Sequence, residues 1–119
     1  MKSKKILAGI FIAALFSVIY LSCGKSSTSS SASPNAVTIQ GMAFNPATIT
    51  VEMGTTVTWT NRDAMDHTVT SDNGTSFNSG PVTAGGGVFS FTTNAVGTFP
   101  YHCTIHPTMH GTLVVTTAP

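Results

Sequence analysis

The sequence predicts an all-β sandwich, on three observations. Short runs alternate apolar side chains with threonine or other polar residues through most of the chain beyond residue 36. Such alternation puts one face of each strand in a core and the other in water. Gly, Pro, Asn and Asp interrupt the runs, as at Asp72-Asn73-Gly74 and at residues 85–87, and these residues favour turns. No window after the N-terminal apolar run keeps helical periodicity.

Seven strands are predicted in chain order. They are Val37–Gln40, Thr48–Glu52, Thr56–Thr60, His67–Thr70, Val88–Thr92, Thr98–His102 and Thr112–Thr116. Pro100 has no amide hydrogen, so we expect it at a strand edge or entry. The strands make one domain over residues 37–119. A domain of this size is near the lower limit for a self-sufficient core, so a bound metal would help to stabilise it.

A signal peptide of the lipoprotein type is predicted over residues 1–22. Lysines at positions 2, 4 and 5 precede an almost wholly apolar run over residues 6–21. This order is typical of an export signal. The run is shorter than the roughly 20 residues that a spanning helix needs. We therefore expect an exported protein, and a single membrane anchor is the alternative.

Leu21-Ser22-Cys23-Gly24 resembles a bacterial lipobox, although Tyr20 stands where an aliphatic residue is usual. The resemblance implies cleavage before Cys23 and its acylation. Residues 23–36 are rich in serine, and such a composition is typical of a flexible tether. We therefore expect a lipid-anchored linker over residues 23–36 and a membrane-anchored lipoprotein in the periplasm or at the cell surface.

The charge of the chain argues against nucleic acid as a partner. The whole chain carries a formal charge of +1, but most of its lysines belong to the predicted signal peptide. From Cys23 onward there are two basic and four acidic side chains, a net charge of −2 with the histidines neutral. A basic patch for nucleic acid is therefore absent from the sequence. We expect the mature protein to be a monomer.

The chemistry-bearing residues are concentrated near the C-terminus. Cys103, His106 and Met109 recur at steps of three, directly after the predicted strand Thr98–His102. A second imidazole is available upstream at His67. Two histidines, one cysteine and a weakly bound methionine are the ligands of a blue-copper centre. Taken alone, each of these residues is more often packing or surface than ligand, so the prediction depends on their combination.

Each predicted ligand has a chemical reason. A thiolate and a thioether are soft ligands that hold Cu(I), and imidazole suits both oxidation states of copper. A zinc site would more often use several cysteines, or three histidines and water. Strand alternation points His102 away from Cys103, so His102 is not expected to bind the same ion. His110 is expected on the outer side of the loop.

The chain resembles the cupredoxins, and within them the amicyanin branch of the plastocyanin family. The resemblance covers residues 37–115 and is strongest at Val57-Thr58-Trp59-Thr60-Asn61-Arg62, at Ala64-Met65-Asp66-His67 and at residues 101–111. It implies a Greek-key β-sandwich that binds one copper per chain, cycling between Cu(I) and Cu(II), through His67, Cys103, His106 and Met109. It also implies a one-electron carrier whose donor and acceptor dock near His106, over an apolar rim formed by Met42, Met65, Ile105 and Pro107.

Three positions depart from the pattern of that family. Thr68 stands where an Asn usually ties the ligand loops together, and a hydroxyl could replace that bond. Ile105 stands where Pro is common between the Cys and the His, and Asp66 where Pro is common before His67. These departures bear on the rigidity and the redox potential of the site.

Three other functions compete with the carrier. A copper oxidase would need more histidines than the two that remain, His102 and His110. Nitrite reductases use a His beside the Cys to help bind a second copper between subunits, so His102 leaves that alternative open, but we expect no enzyme. A copper delivery or storage module at the cell surface would use the same ligands with an exchangeable ion. A plain adhesion sandwich would bind no copper tightly. The carrier is the function that the sequence favours.

Overall fold

The computed structural model describes residues 34–119, which contain eight strands. Their bounds are β1 Ala36–Ile39, β2 Phe44–Asn45, β3 Thr48–Glu52, β4 Thr56–Asn61, β5 Thr70–Ser71, β6 Val88–Thr92, β7 Gly97–His102 and β8 His110–Thr116. These residues include no helix that is long enough and apolar enough to span a membrane. The predicted signal peptide (residues 1–22), Cys23 and the linker up to residue 33 lie outside the described residues.

The strands form two four-stranded sheets. The first has the order β2-β1-β4-β6 and the second the order β3-β8-β7-β5. Each sheet is mixed, because β1 runs parallel to β4 and β3 runs parallel to β8, whereas the other pairs are antiparallel. Strands β7 and β8 are direct neighbours, so the segment between them, residues 103–109, emerges at one end of the second sheet.

The core lies between the two sheets, and alternate residues of β3, β4 and β8 are buried in it. Trp59 of the first sheet and Tyr101 of the second are both fully buried, and their rings meet edge to face with centroids 5.7 Å apart. The Trp59 indole N–H donates to the Tyr101 hydroxyl oxygen at 3.1 Å. Burial raises the pKa of Tyr101 to about 12. The all-β prediction is confirmed.

Close packing around Tyr101 explains one glycine. Gly111 is the β8 residue directly opposite Tyr101, and a Cβ atom there would overlap the ring and hydroxyl of that tyrosine. A side chain at position 111 would therefore push Tyr101 away from Trp59. Tyr101 lies next to the end of the sheet from which residues 103–109 emerge.

The strand predicted over His67–Thr70 is wrong in its bounds. His67 makes only an isolated bridge to Val82, and the strand is the short β5, Thr70–Ser71. The reason is that side chains take the place of a neighbouring strand. The Thr68 N–H donates to the Cys103 sulfur at 3.3 Å, and the Val69 N–H donates to the Ser79 hydroxyl at 2.8 Å.

Three smaller differences separate prediction from structure. The two-residue strand β2 has too few residues to show alternation and was not predicted. Ala36, predicted as the last residue of the linker, begins β1. Pro100 lies inside β7, an inner strand, and not at an edge or entry. The Pro100 carbonyl accepts the Asp72 N–H at 2.9 Å, just past the end of β5. The Pro100 nitrogen, which has no hydrogen to donate, therefore faces the side of β7 where pairing with β5 has ended.

Candidate metal centre

The loop between β7 and β8 is folded back on itself by its own backbone. The Cys103 N–H donates to the Met109 carbonyl at 3.1 Å, and the Met109 N–H donates to the His106 carbonyl at 2.9 Å. The His106 N–H in turn donates to the Cys103 sulfur at 3.4 Å. These bonds bring the Cys103 and His106 side chains together at the end of the second sheet.

His67 reaches the same place from a different part of the chain. Its backbone is held by two hydrogen bonds to Val82, 3.2 Å for the His67 N–H and 2.7 Å for the Val82 N–H. The N–H of the next residue, Thr68, donates to the Cys103 sulfur. His67 and Cys103 are 36 residues apart, so any ion shared by them would cross-link two distant segments.

The three side chains present one donor atom each to a common point. The Cys103 sulfur lies 3.7 Å from His67 Nδ1 and 3.8 Å from His106 Nδ1, and the two nitrogens are 3.1 Å apart. A point equidistant from the three atoms lies about 2.1 Å from each, close to the usual metal–nitrogen and metal–sulfur bond lengths of about 2.0–2.3 Å. The triad can therefore hold a metal ion.

Two of the three side chains of the triad are fully buried. His67 and Cys103 are both fully buried, and Cys103 is not paired in a disulfide. His106 is half-buried and gives the triad its only partial exposure. Met109 is 2% exposed and its backbone contacts both Cys103 and His106. Its thioether as a fourth ligand stays a prediction.

A carboxylate fixes the orientation of the buried imidazole. Asp63 Oδ2 lies 2.9 Å from His67 Nε2, so Nε2 carries the proton and Nδ1 keeps its lone pair toward the triad. The same carboxylate accepts the Gly41 N–H at 2.7 Å and the Met42 N–H at 3.0 Å. The Met42 N–H is the largest cause that lowers the pKa of Asp63 below its ordinary value of 3.8, against the opposing effect of burial, so the side chain is ionised at neutral pH.

Comparison with known proteins decides the family. The family model described as a cupredoxin-like domain matches residues 11–115, most of the chain. The chain belongs to the cupredoxins. The predicted family is thus confirmed, and the two mixed sheets of the described residues are those of a cupredoxin fold.

Two curated relatives of this cupredoxin are amicyanins. Amicyanin of Paracoccus denitrificans is 39% identical over 82 residues, which are 66% of this chain and 63% of that protein. The chain thus spans less than two thirds of the length of that relative. Amicyanin-alpha of Methylorubrum extorquens is 37% identical over 82 residues, 66% of this chain and 69% of that protein.

Solved structures similar to this chain are also cupredoxins, amicyanin among them. A variant of amicyanin in its Cu(I) form superposes with a TM-score of 0.62 and 32% identity, over 68% of this chain and 80% of that one. A purple cupredoxin from Nitrosopumilus maritimus superposes with a TM-score of 0.62 and 30% identity, over 68% of this chain and 98% of that one.

A threonine hydroxyl ties the two ligand-bearing segments of this cupredoxin together. Thr68 Oγ1 accepts the Thr104 N–H at 2.8 Å and the Thr70 hydroxyl at 3.1 Å. The Thr68 and Thr104 hydroxyl groups also bond to each other, with their oxygens 3.1 Å apart. A hydroxyl at position 68 therefore joins the segment of His67 to the segment of Cys103.

The remaining predicted residues lie around the triad. His102 points away from Cys103 and bonds to Asp72, and His110 is exposed, so neither joins the triad. Asp66 is exposed beside His67, where it accepts the Ala84 N–H at 2.9 Å. The apolar residues expected to form a rim are all exposed: Met42, Met65, Ile105 and Pro107.

Sequence reasoning missed Asp63. Its spacing of four residues from His67 is visible in the sequence, but its contacts with the turn at Gly41 and Met42 are not. Sequence reasoning also missed Thr104, whose backbone and hydroxyl both bond to Thr68. Each contributes through a contact between segments far apart in the chain, so no local pattern identifies it.

Proposed function

We propose that this cupredoxin is a type 1, or blue, copper protein that carries single electrons between redox partners outside the cytoplasm. The observation that carries the proposal is the convergence of His67 Nδ1, His106 Nδ1 and the Cys103 sulfur at metal-binding separations. The likeness to amicyanin, solved in a Cu(I) form, favours copper over other ions.

The donor set supports a redox-active ion. Bound copper supplies a reversible one-electron change between Cu(I) and Cu(II), and one thiolate with two imidazoles suits both states. Asp63 holds His67 in the tautomer that offers Nδ1, and two backbone N–H groups, of Thr68 and His106, orient the sulfur of Cys103. We propose Met109 as the weak axial ligand, since it is buried and its backbone is bonded to both Cys103 and His106.

Partner docking is proposed over His106. It is the one member of the triad that is partly exposed, so an electron exchanged with another protein has its shortest route there. Ile105 and Pro107 flank it in the chain, and both are exposed apolar residues that can be buried against a partner. Met42, whose N–H donates to Asp63, and Met65, which lies between Asp63 and His67 in the chain, are also exposed.

The proposed carrier is not an enzyme, and it retains its ion. Full burial of His67 and Cys103 leaves little access for an acceptor to remove the metal, which favours a carrier over a delivery or storage module. Export, and anchoring through a lipid on Cys23, are proposed from the sequence of residues 1–23.

Copper loading tests the proposal directly. One equivalent of Cu(II) added to the metal-free protein should give an intense visible absorption from the Cys103 thiolate and a narrow copper hyperfine splitting by electron spin resonance. Cys103→Ser and His67→Ala should abolish or greatly alter both signals. Phe89→Leu, a change at a partly buried core residue, should leave them intact. A protein that stays colourless with Cu(II), or a Cys103→Ser variant that keeps the colour, would exclude the proposed centre.

A further inference from the structure

Two imidazoles lie side by side on the outer face of the second sheet. His102, the last residue of β7, is the direct cross-strand partner of His110, the first residue of β8. Directly opposed residues project from the same face of a sheet. Their ring centroids are 6.5 Å apart. Because His102 and Cys103 point to opposite faces, this pair is separate from the buried triad.

A carboxylate orients one of the two rings. Asp72 Oδ1 lies 2.6 Å from His102 Nδ1, and the Asp72 backbone N–H donates to the Pro100 carbonyl of the same strand at 2.9 Å. Asp72 is therefore held beside β7. When His102 is neutral, its Nδ1–H donates to the carboxylate and its Nε2 keeps a lone pair. This is the carboxylate–histidine arrangement found behind many metal-binding imidazoles.

We propose that His102 and His110 bind a divalent transition-metal ion at the protein surface, with Asp72 as the positioning residue. Imidazole nitrogen suits Cu(II), Ni(II) and Zn(II), and Cu(II) binds most tightly to a given set of such ligands. Water would complete the coordination, because the side chains of His102 and Asp72 are 29% and 44% exposed and His110 is also exposed.

The geometry requires one side-chain movement. The ring centroids of His67 and His106 in the buried triad are 4.8 Å apart. The centroids of His102 and His110 are 6.5 Å apart, a separation larger by 1.7 Å. A change of rotamer at the exposed His110 can close that difference, whereas His102 stays fixed by Asp72. The surface site therefore exchanges its ion with solvent readily, in contrast to the buried triad.

The net charge of the described residues favours binding of a cation. Residues 34–119 contain four carboxylate side chains, of Glu52, Asp63, Asp66 and Asp72, and a single basic one, Arg62. Asp72 supplies a full negative charge in contact with one of the proposed ligands. The nearest carboxylate is thus part of the site itself, and it attracts the ion as well as orienting the ring.

Titration with Zn(II) tests the site by a readout that does not depend on the buried triad. Zn(II) is added to the full-length protein, and the imidazole ring resonances of each histidine are followed by nuclear magnetic resonance. We expect a weaker binding event that shifts the rings of His102 and His110 together, whether or not the triad is filled. In a parallel titration, Cu(II) should give a second electron spin resonance signal with the wide hyperfine splitting of a site that has no thiolate.

Variants assign the binding to these residues. The double variant His102→Gln/His110→Gln should lose the weaker event altogether, and each single variant should weaken it, because one imidazole ligand is lost. Asp72→Ala should weaken it by about 10- to 100-fold, as removal of such a carboxylate does elsewhere. Glu52→Gln, which removes one negative charge from β3, is the matched control and should change little.

Two results would overturn the inference. One is a Zn(II) titration that shifts only the rings of the buried triad. The other is a surface event that survives the double variant or responds equally to Asp72→Ala and Glu52→Gln. A failure of the triad to bind copper would leave this test unaffected, since the two sites share no ligand.

Discussion

Replacing Asp63 with Asn tests whether the carboxylate orients the His67 ring for metal binding. The carboxylate accepts three N–H groups, from His67 Nε2, Gly41 and Met42, at 2.9, 2.7 and 3.0 Å. An amide has a single acceptor oxygen, so Asp63→Asn must present its NH2 group to at least one of these donors. Since Oδ2 serves both His67 and Met42, the variant keeps at most two of the three bonds.

The expected magnitudes follow from this count. Hydrogen bonds to a charged group contribute about 1.5–3 kcal/mol each and neutral ones about 0.5–1.5 kcal/mol. The side chain of Asp63 is 16% exposed, so water can replace part of what is lost. We expect the free energy of unfolding of the metal-free protein to fall by about 2 kcal/mol. Metal affinity should fall by about 10- to 100-fold, because the proton on His67 Nε2 is no longer held by a carboxylate.

The assay and its control are both available in this chain. Affinity is measured by competition of the protein with a copper chelator, and stability by urea unfolding of the metal-free form. Asp66→Asn is the matched control, because Asp66 lies in the same segment and its carboxylate bonds only to the exposed Ala84 N–H among the contacts of the described residues. If Asp63→Asn and Asp66→Asn lower copper affinity by the same factor, the charge alone matters and the orienting role of Asp63 is wrong.

Two further changes test the packing around the triad. Thr68→Val removes a hydroxyl with three hydrogen bonds and should lower the free energy of unfolding by about 1–3 kcal/mol in urea. Thr58→Val, which removes one exposed bond to Ser90, should cost much less, and equal losses would contradict this account. For Tyr101, a folded-state pKa of about 12 against an ordinary value of 10 means that the unfolded chain loses its proton first. Stability should therefore be full below pH 10 and fall by roughly 2–3 kcal/mol as the pH rises to 12. Tyr101→Phe should lack this part of the decline, and identical pH profiles would refute the assignment.

The part of the site that the sequence predicted is the part encoded locally. Cys103 and His106 share one seven-residue loop between two strands with clear alternation, so their meeting needs only a tight turn. His67 was predicted from its residue type and from the family resemblance. The strand assigned to it was wrong in its bounds, because the N–H groups of Thr68 and Val69 donate to the Cys103 sulfur and the Ser79 hydroxyl and not to another strand.

The contacts that hold the ligands could not be predicted in the same way. Asp63 acts through a turn 22 residues earlier, and Thr68 acts through a residue 36 positions later. Alternation and turn residues determine which face of a strand is buried, but not which loops meet at the end of a sandwich. The pairing of His102 with His110 was likewise hidden, because it depends on the register between β7 and β8.

The hydrogen bonds around the triad explain how it can serve a one-electron carrier. Asp63 holds the ring of His67, the N–H groups of Thr68 and His106 hold the sulfur of Cys103, and the Met109 N–H holds the loop that carries His106. These contacts place the donor atoms of the triad at separations that suit a metal ion. A ligand set fixed in this way would move little when the charge of its metal changes by one. The same rigidity opposes release of the ion, so the features that favour electron transfer also disfavour delivery of copper.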